Sequence, residues 1–67
     1  MTMEERIRIG QRIAALRKEQ GLTQEQLGEM CGIRGNHITR IEKGRYSVGL
    51  DTLAAIAKAL GKRIDFV

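Results

Sequence analysis

The chain has no proline and no tryptophan, and its two aromatic residues are Tyr46 and Phe66. A core must therefore be built from aliphatic side chains, and helices can run without proline breaks. One cysteine, Cys31, excludes an internal disulfide. One histidine, His37, joined to it falls short of the ligands a structural zinc site needs, so no metal is expected. No stretch approaches the roughly 20 apolar residues of a membrane-spanning helix. The first turn is charged by Glu4, Glu5, Arg6 and Arg8 before any apolar run forms, unlike a secretion signal. A reducing, cytoplasmic setting is expected. An acid–base pair, a nucleophile with a partner and a phosphate-cradling glycine loop are also missing from the pattern, so neither an enzyme nor a cofactor is expected.

What is present fits one small domain. Sixty-seven residues lie near the lower limit for a core that folds without staples. Repeats, low-complexity tracts and linkers do not occur. The net charge is +4, and its placement matters more than its sum. Between Gly32 and Arg45 stand Arg34, Arg40, Lys43 and Arg45 against Glu42 alone, a local +3. A polyanion suits such a stretch, although solvated surface cations would give the same count.

The organising stretch is 24–43, QEQLGEMCGIRGNHITRIEK. Leu27 and Cys31 are four apart, on one face of a short helix; Ile38 and Ile41 are three apart, on one face of another. Gly28 would let the two helices approach closely, and Gly32 can take the positive φ of a sharp turn. The pattern reads as a helix-turn-helix whose second helix lies in the DNA major groove. An ordinary helical hairpin shares the apolar spacing; the small residue and the turn glycine favour DNA.

Around that stretch the periodicity predicts a first helix over about 2–20, with Ile9, Ile13 and Leu16 on its inner stripe and Thr2 and Glu5 as a capping box. Gly21 stops it, and Leu22 tucks back towards the core. Thr23 and Gln26 form the box that opens the second helix, where free amides and the positive dipole end favour a phosphate. Gln24 is placed to donate to it. The third helix has a less defined start: Arg34 is a poor cap, so Gly35 or Asn36 takes that place. A capping Asn36 would have its amide committed to backbone. With Ile38 and Ile41 inward, His37, Thr39, Arg40 and Lys43 face outward or to the flanks. Arg40 is suited to the two acceptors of guanine, with a phosphate contact as its rival. His37 reads as a solvent-facing residue. The loop 45–49 offers Arg45 and Tyr46 to grip a sugar-phosphate backbone. A fourth helix over 50–60 follows, capped by Gly49, with Leu53, Ala57 and Leu60 as its stripe and Ile56 beside it. The tail 62–67 alternates polar and apolar residues, as a strand would. It reads as a strand pairing with a twin across a two-fold axis, with Ile64 and Phe66 at the seam; a short fifth helix or disorder is the alternative.

Taken together, LTQEQL at 22–27, GI at 32–33, ITRIEKG at 38–44 and LDTLAAIAKALG at 50–61 resemble the Cro/repressor-type (XRE-like) helix-turn-helix proteins. The match runs from about Gly10 to Gly61. The resemblance implies an all-α, compact bundle of four or five helices of the lambda-repressor-like DNA-binding type. It implies a transcriptional regulator, a repressor acting as a homodimer on inverted half-sites of double-stranded DNA, with no membrane involved. Residues 1–61 would be the DNA-binding domain and 62–67 a dimerisation tail. By position, Gln24 would clamp a phosphate, and Gly35, Asn36, Thr39 and Arg40 would face base edges; Arg34 and His37 are counted with them among the DNA-binding residues. Lys43 and Arg45 would meet the backbone beyond the groove. Arg17 and Glu42 stand where family members carry a structural ion pair.

The chain also departs from the pattern. Arg34 replaces the usual serine or threonine, and Gly35 replaces a side-chain-bearing reader. Val48 replaces a proline, and Gly49 a capping serine. The alternating tail is similar to that of antitoxin-like members, so a protein-interaction module with a toxin-like partner is the alternative function.

Overall fold

The computed structural model describes residues 1–66 and contains four helices: α1 (Met3–Glu19), α2 (Gln24–Cys31), α3 (Gly35–Glu42) and α4 (Leu50–Ala59). The resemblance's expectation of an all-α helical bundle is met. Leu27, Ile38 and Ile56 are fully buried at its centre, with Ile13, Ile41, Val48 and Leu60 around them. These side chains come from all four helices and the loop before α4, so no helix buries its apolar stripe without the others. Ile9 and Leu16 flank Ile13 as the first stripe predicts. On α4 the buried line runs through Ile56 and Leu60, while Leu53 and Ala57 are half-buried beside it. The stripe expected there is thus rotated towards Ile56, and α4 packs on α2.

Capping explains where α1 and α2 begin. Thr23 closes the full box on α2: its Oγ1 accepts from the Gln26 amide at 3.0 Å, and the Gln26 side chain accepts from the Thr23 amide at 2.8 Å. At α1 half the expected box forms. Thr2 Oγ1 accepts from the Glu5 amide at 3.1 Å, while the Glu5 carboxylate turns to Arg8. The charged partner wins because a guanidinium is a stronger donor than an exposed amide.

The third helix begins earlier than capping chemistry suggests. Arg34, not Gly35 or Asn36, is its N-cap, with φ −79°, ψ 152° and no side-chain cap bond. Packing sets this boundary. A Cβ on Gly35 would fall 2.9 Å from Glu25 Cγ and 3.1 Å from its Cα, so the first turn of α3 rests directly on the first turn of α2. The Arg34 carbonyl then accepts from the amides of His37 and Ile38.

The turn itself follows the glycine argument, with Gly32 at φ 76° as the left-handed cap of α2. Gly28 allows the expected close approach, to the backbone of the turn and of the first residue of α3: a Cβ there would fall 3.2 Å from the Gly35 nitrogen. Its missing Cβ makes room for the carbonyl of Ile33, whose amide donates back to the Gly28 carbonyl at 2.9 Å. Gly28 and Gly35 together thus let α2 and the start of α3 approach closely. A further glycine sets the position of α1: a Cβ on Gly10 would fall 2.5 Å from the Ile41 carbonyl oxygen and 2.6 Å from that of Glu42.

The tail forms no strand among the described residues, and Ile64 and Phe66 are exposed. A strand with no partner in its own chain leaves its backbone groups to water. Val67, included in the expected strand, lies outside the described residues. No helix among the described residues is long and apolar enough to cross a membrane.

Candidate nucleic-acid interface

The outward side of α3 is held by a buried polar chain beneath it. Arg17 on α1 and Glu42 on α3 form a two-point ion pair, Nε to Oε2 at 2.6 Å and Nη2 to Oε1 at 3.2 Å. Their side chains are 11% and 6% exposed. The third guanidinium nitrogen, Nη1, donates to the Leu22 carbonyl at 2.8 Å, so Arg17 also ties down the α1–α2 loop. Glu42 Oε1 accepts a further bond from Gln24 Nε2 at 3.0 Å. Gln24 Oε1 in turn accepts from the Thr39 hydroxyl at 2.6 Å. Four residues from α1, α2 and α3 thereby form one connected network, in which each buried charge has several partners.

The network changes what two of the expected site residues offer. Gln24 is half-buried and has both ends of its amide in use, leaving one N–H hydrogen uncommitted. Thr39 is also half-buried, with its hydroxyl turned back to Gln24 and to the Gly35 carbonyl at 3.1 Å. A hydroxyl has one hydrogen, and the 2.6 Å contact takes it. Both side chains were expected to face outward; buried acceptors close to them draw their polar atoms in.

The remaining residues sort by exposure. Arg34, Asn36, Arg40, Lys43 and Arg45 are exposed, and Ile38 and Ile41 lie in the core as expected. Because Arg34 caps the helix by backbone, the Asn36 side chain is not spent on capping. Ile33, Arg34, Asn36, His37 and Arg40 line a shallow concavity of about 350 Å³. None of the four cations between Gly32 and Arg45 is held in a salt bridge among the described residues. His37 is half-buried rather than solvent-facing. Its ring meets that of Tyr46 edge to face, with centroids 4.5 Å apart and planes at 77°. Arg40 Cζ lies over the same Tyr46 ring, 5.7 Å from its centroid. This cluster was not legible in the sequence. The only signal was a lone aromatic two residues past the helix-ending Gly44.

Cys31 contributes little to this face: its Sγ lies 3.8 Å from the Ala55 carbonyl, and burial pushes its thiol up from the ordinary 9.0. No group of three or more His, Cys, Asp or Glu gathers as a metal site among the described residues.

Comparison with known proteins places this geometry. A helix-turn-helix family profile (HTH_3) matches residues 13–67. The chain is 44% identical over 59 residues to the immunity repressor protein of Bacillus phage phi105, covering 88% of this chain and 41% of that one. It is 36% identical over 62 residues to the control protein C.BamHI of Bacillus amyloliquefaciens, covering 91% and 76% respectively. The crystal structure of the clp gene regulator ClgR from Corynebacterium glutamicum superposes with a TM-score of 0.84 at 28% identity, over 87% of this chain and 62% of that one. The chain thus spans about two fifths of the length of the phage repressor it matches. With its glycine bend, paired short helices and profile match over most of its length, the chain belongs to the XRE-type helix-turn-helix family.

Proposed function

We propose that the chain is a sequence-specific regulator that binds double-stranded DNA, lays α3 in the major groove and represses transcription by occluding polymerase. One observation carries this reading: exposed cations without ion-pair partners among the described residues flank a helix whose inner side is locked into the core. Guanidinium and ammonium groups left free in this way exchange their counterions for phosphate. The kinship with a phage immunity repressor supports the repressor direction.

The roles follow from what each side chain has left to give. Gln24, with one free amide hydrogen at the N-terminus of α2, donates to a phosphate that the helix dipole also favours. Arg40 reads the two acceptors of guanine, and the uncommitted amide of Asn36 suits adenine. Thr39, its hydroxyl occupied, offers its methyl group, the natural contact for thymine. Gly35 can present only backbone. Arg34, Lys43 and Arg45 meet the sugar-phosphate backbone, with His37 at the flank. Arg17 and Glu42 are structural. Residues 1–61 form the binding domain; two copies meet across a two-fold axis, aided by the tail 62–67, and address half-sites about 34–36 Å apart. The exposed apolar side chains of Ile64 and Phe66 support that use of the tail.

Enrichment of bound sequences from a random duplex pool tests site choice and symmetry together. A selected inverted repeat is expected, with affinity falling steeply as salt rises. Arg40→Ala should flatten preference at one base pair, whereas Lys43→Ala should weaken all sequences alike and reduce the salt slope by about 1. Removing 64–67 should lower the mass seen by ultracentrifugation; an unchanged mass removes the tail from the seam. Duplex binding no tighter than that of a neutral helical domain at physiological salt would refute DNA recognition in favour of a toxin-like protein partner.

A further inference from the structure

Tyr46, expected from the sequence to grip the sugar-phosphate backbone, has no part in the roles proposed above, yet its ring is in contact on two sides. The backbone fixes how it gets there. At the end of α3 the Gly44 amide donates to the Ile41 carbonyl and the Arg45 amide to the Arg40 carbonyl, both at 3.0 Å, with Gly44 at φ 72°. This paired closure reverses the chain in a defined geometry and returns residue 46 to the side of residue 40. Gly44 is itself buried, and a Cβ there would fall 2.8 Å from Ile7 Cγ1, so α1 braces the reversal. Arg40 Cζ then lies 5.7 Å from the Tyr46 ring centroid, and His37 meets the ring edge to face.

We propose that Tyr46, steadied by His37, is a positioning residue that holds the Arg40 guanidinium for base recognition, and is not itself a clip on the DNA backbone. The inference rests on the proposed DNA-binding function. An unsupported arginine on an exposed helix samples many rotamers and must be ordered when it meets a base. A carboxylate partner would order it but would occupy its N–H donors and cancel its charge. An aromatic ring attracts the cation through its quadrupole and takes none of those donors in an ordinary hydrogen bond. Arg40 accordingly has no side-chain hydrogen bond or salt bridge among the described residues, so its fork is both oriented and free. The phenol oxygen has no place in this account; only the ring is needed.

The test compares sequence selection from a random duplex pool by the wild-type chain, Arg40→Ala, Tyr46→Leu, Tyr46→Phe and the Arg40→Ala/Tyr46→Leu double variant. Helical circular dichroism confirms that each is folded. Loss of preference in Arg40→Ala identifies the base pair that Arg40 reads. Tyr46→Leu, which keeps apolar volume without the ring, should weaken preference at that same base pair about two- to fivefold, the scale of an exposed cation–π contact. Its other preferences and its salt slope should not change. Tyr46→Phe should behave as wild type, and Tyr46→Leu should add nothing at that base pair once Arg40 is absent. A uniform loss across all sequences in both Tyr46→Leu and Tyr46→Phe would identify a backbone clip and overturn the proposal. So would an unaltered preference at the Arg40 base pair in Tyr46→Leu, while leaving the DNA-binding function standing. A wild-type chain that enriches no sequence would refute both.

Discussion

Replacing Glu42 with alanine tests whether the polar chain under α3 is what secures that helix. The side chain is almost fully enclosed and accepts from Arg17 Nε, Arg17 Nη2 and Gln24 Nε2. Its removal leaves an arginine that is 11% exposed with the Leu22 carbonyl as its remaining acceptor, and a glutamine donor without one. Uncompensated burial of one member of such a pair costs about 3–5 kcal/mol. A chain of this size has a total stability of roughly 3–10 kcal/mol. Most of the margin should therefore be lost, with a fall in melting temperature of about 4–8 °C for each kcal/mol. Replacing both partners by apolar residues of similar volume, Arg17→Met with Glu42→Leu, removes the desolvated charge together with its partner. That double variant should recover most of the loss, because the pair's net contribution is small compared with the penalty of orphaning one half. Urea and thermal unfolding of Arg17→Met, Glu42→Leu and their double variant give the coupling energy directly. If Glu42→Ala unfolded within about 1 kcal/mol of wild type, in the range of an exposed ion pair, the enclosed network would not be what holds α3 against α1.

The remaining expectations concern the close contacts and the cysteine. Gly10→Ala should destabilise by about 1–3 kcal/mol in denaturant unfolding, since its Cβ would press on the carbonyls of Ile41 and Glu42, which cannot rotate away as a side chain can. Gly32→Ala should cost about 1–2 kcal/mol for a different reason, left-handed backbone with open space around it. Asparagine at 32, which tolerates that conformation, should restore part of the loss, whereas asparagine at 10 should be worse than alanine. Cys31 should react with an alkylating reagent at pH 8 more slowly than a free thiol, because burial disfavours its thiolate. Its raised pKa also contributes stability that is present below pH 9.0 and lost as the pH rises through the folded value. Equal reactivity of native and urea-unfolded chains at matched pH would contradict that burial.

Local signals decided much of this molecule before any packing was known. Thr23 with Gln26, and the glycines that follow the helices, act over three or four residues of chain. Their hydrogen bonds and φ angles depend on nothing distant, which is why the start of α2 and the turn at Gly32 were legible. The apolar periods likewise placed Ile13, Leu27, Ile38 and Ile41 in the core. Other features were set by contacts across long sequence separation. The start of α3 at Gly35 answers to Glu25 on another helix, and propensity alone pointed one or two residues too far along. The committed amide of Gln24 and the inward hydroxyl of Thr39 exist only because Glu42 lies between Arg17 and Gln24 in the fold. The Arg40–Tyr46–His37 cluster arises the same way, since the reversal at Gly44 brings Tyr46 to the i, i+3 pair His37 and Arg40, which no helical period would do. Capping and periodicity are one-dimensional and survive in the sequence. Which buried donor finds which acceptor is settled when the helices meet.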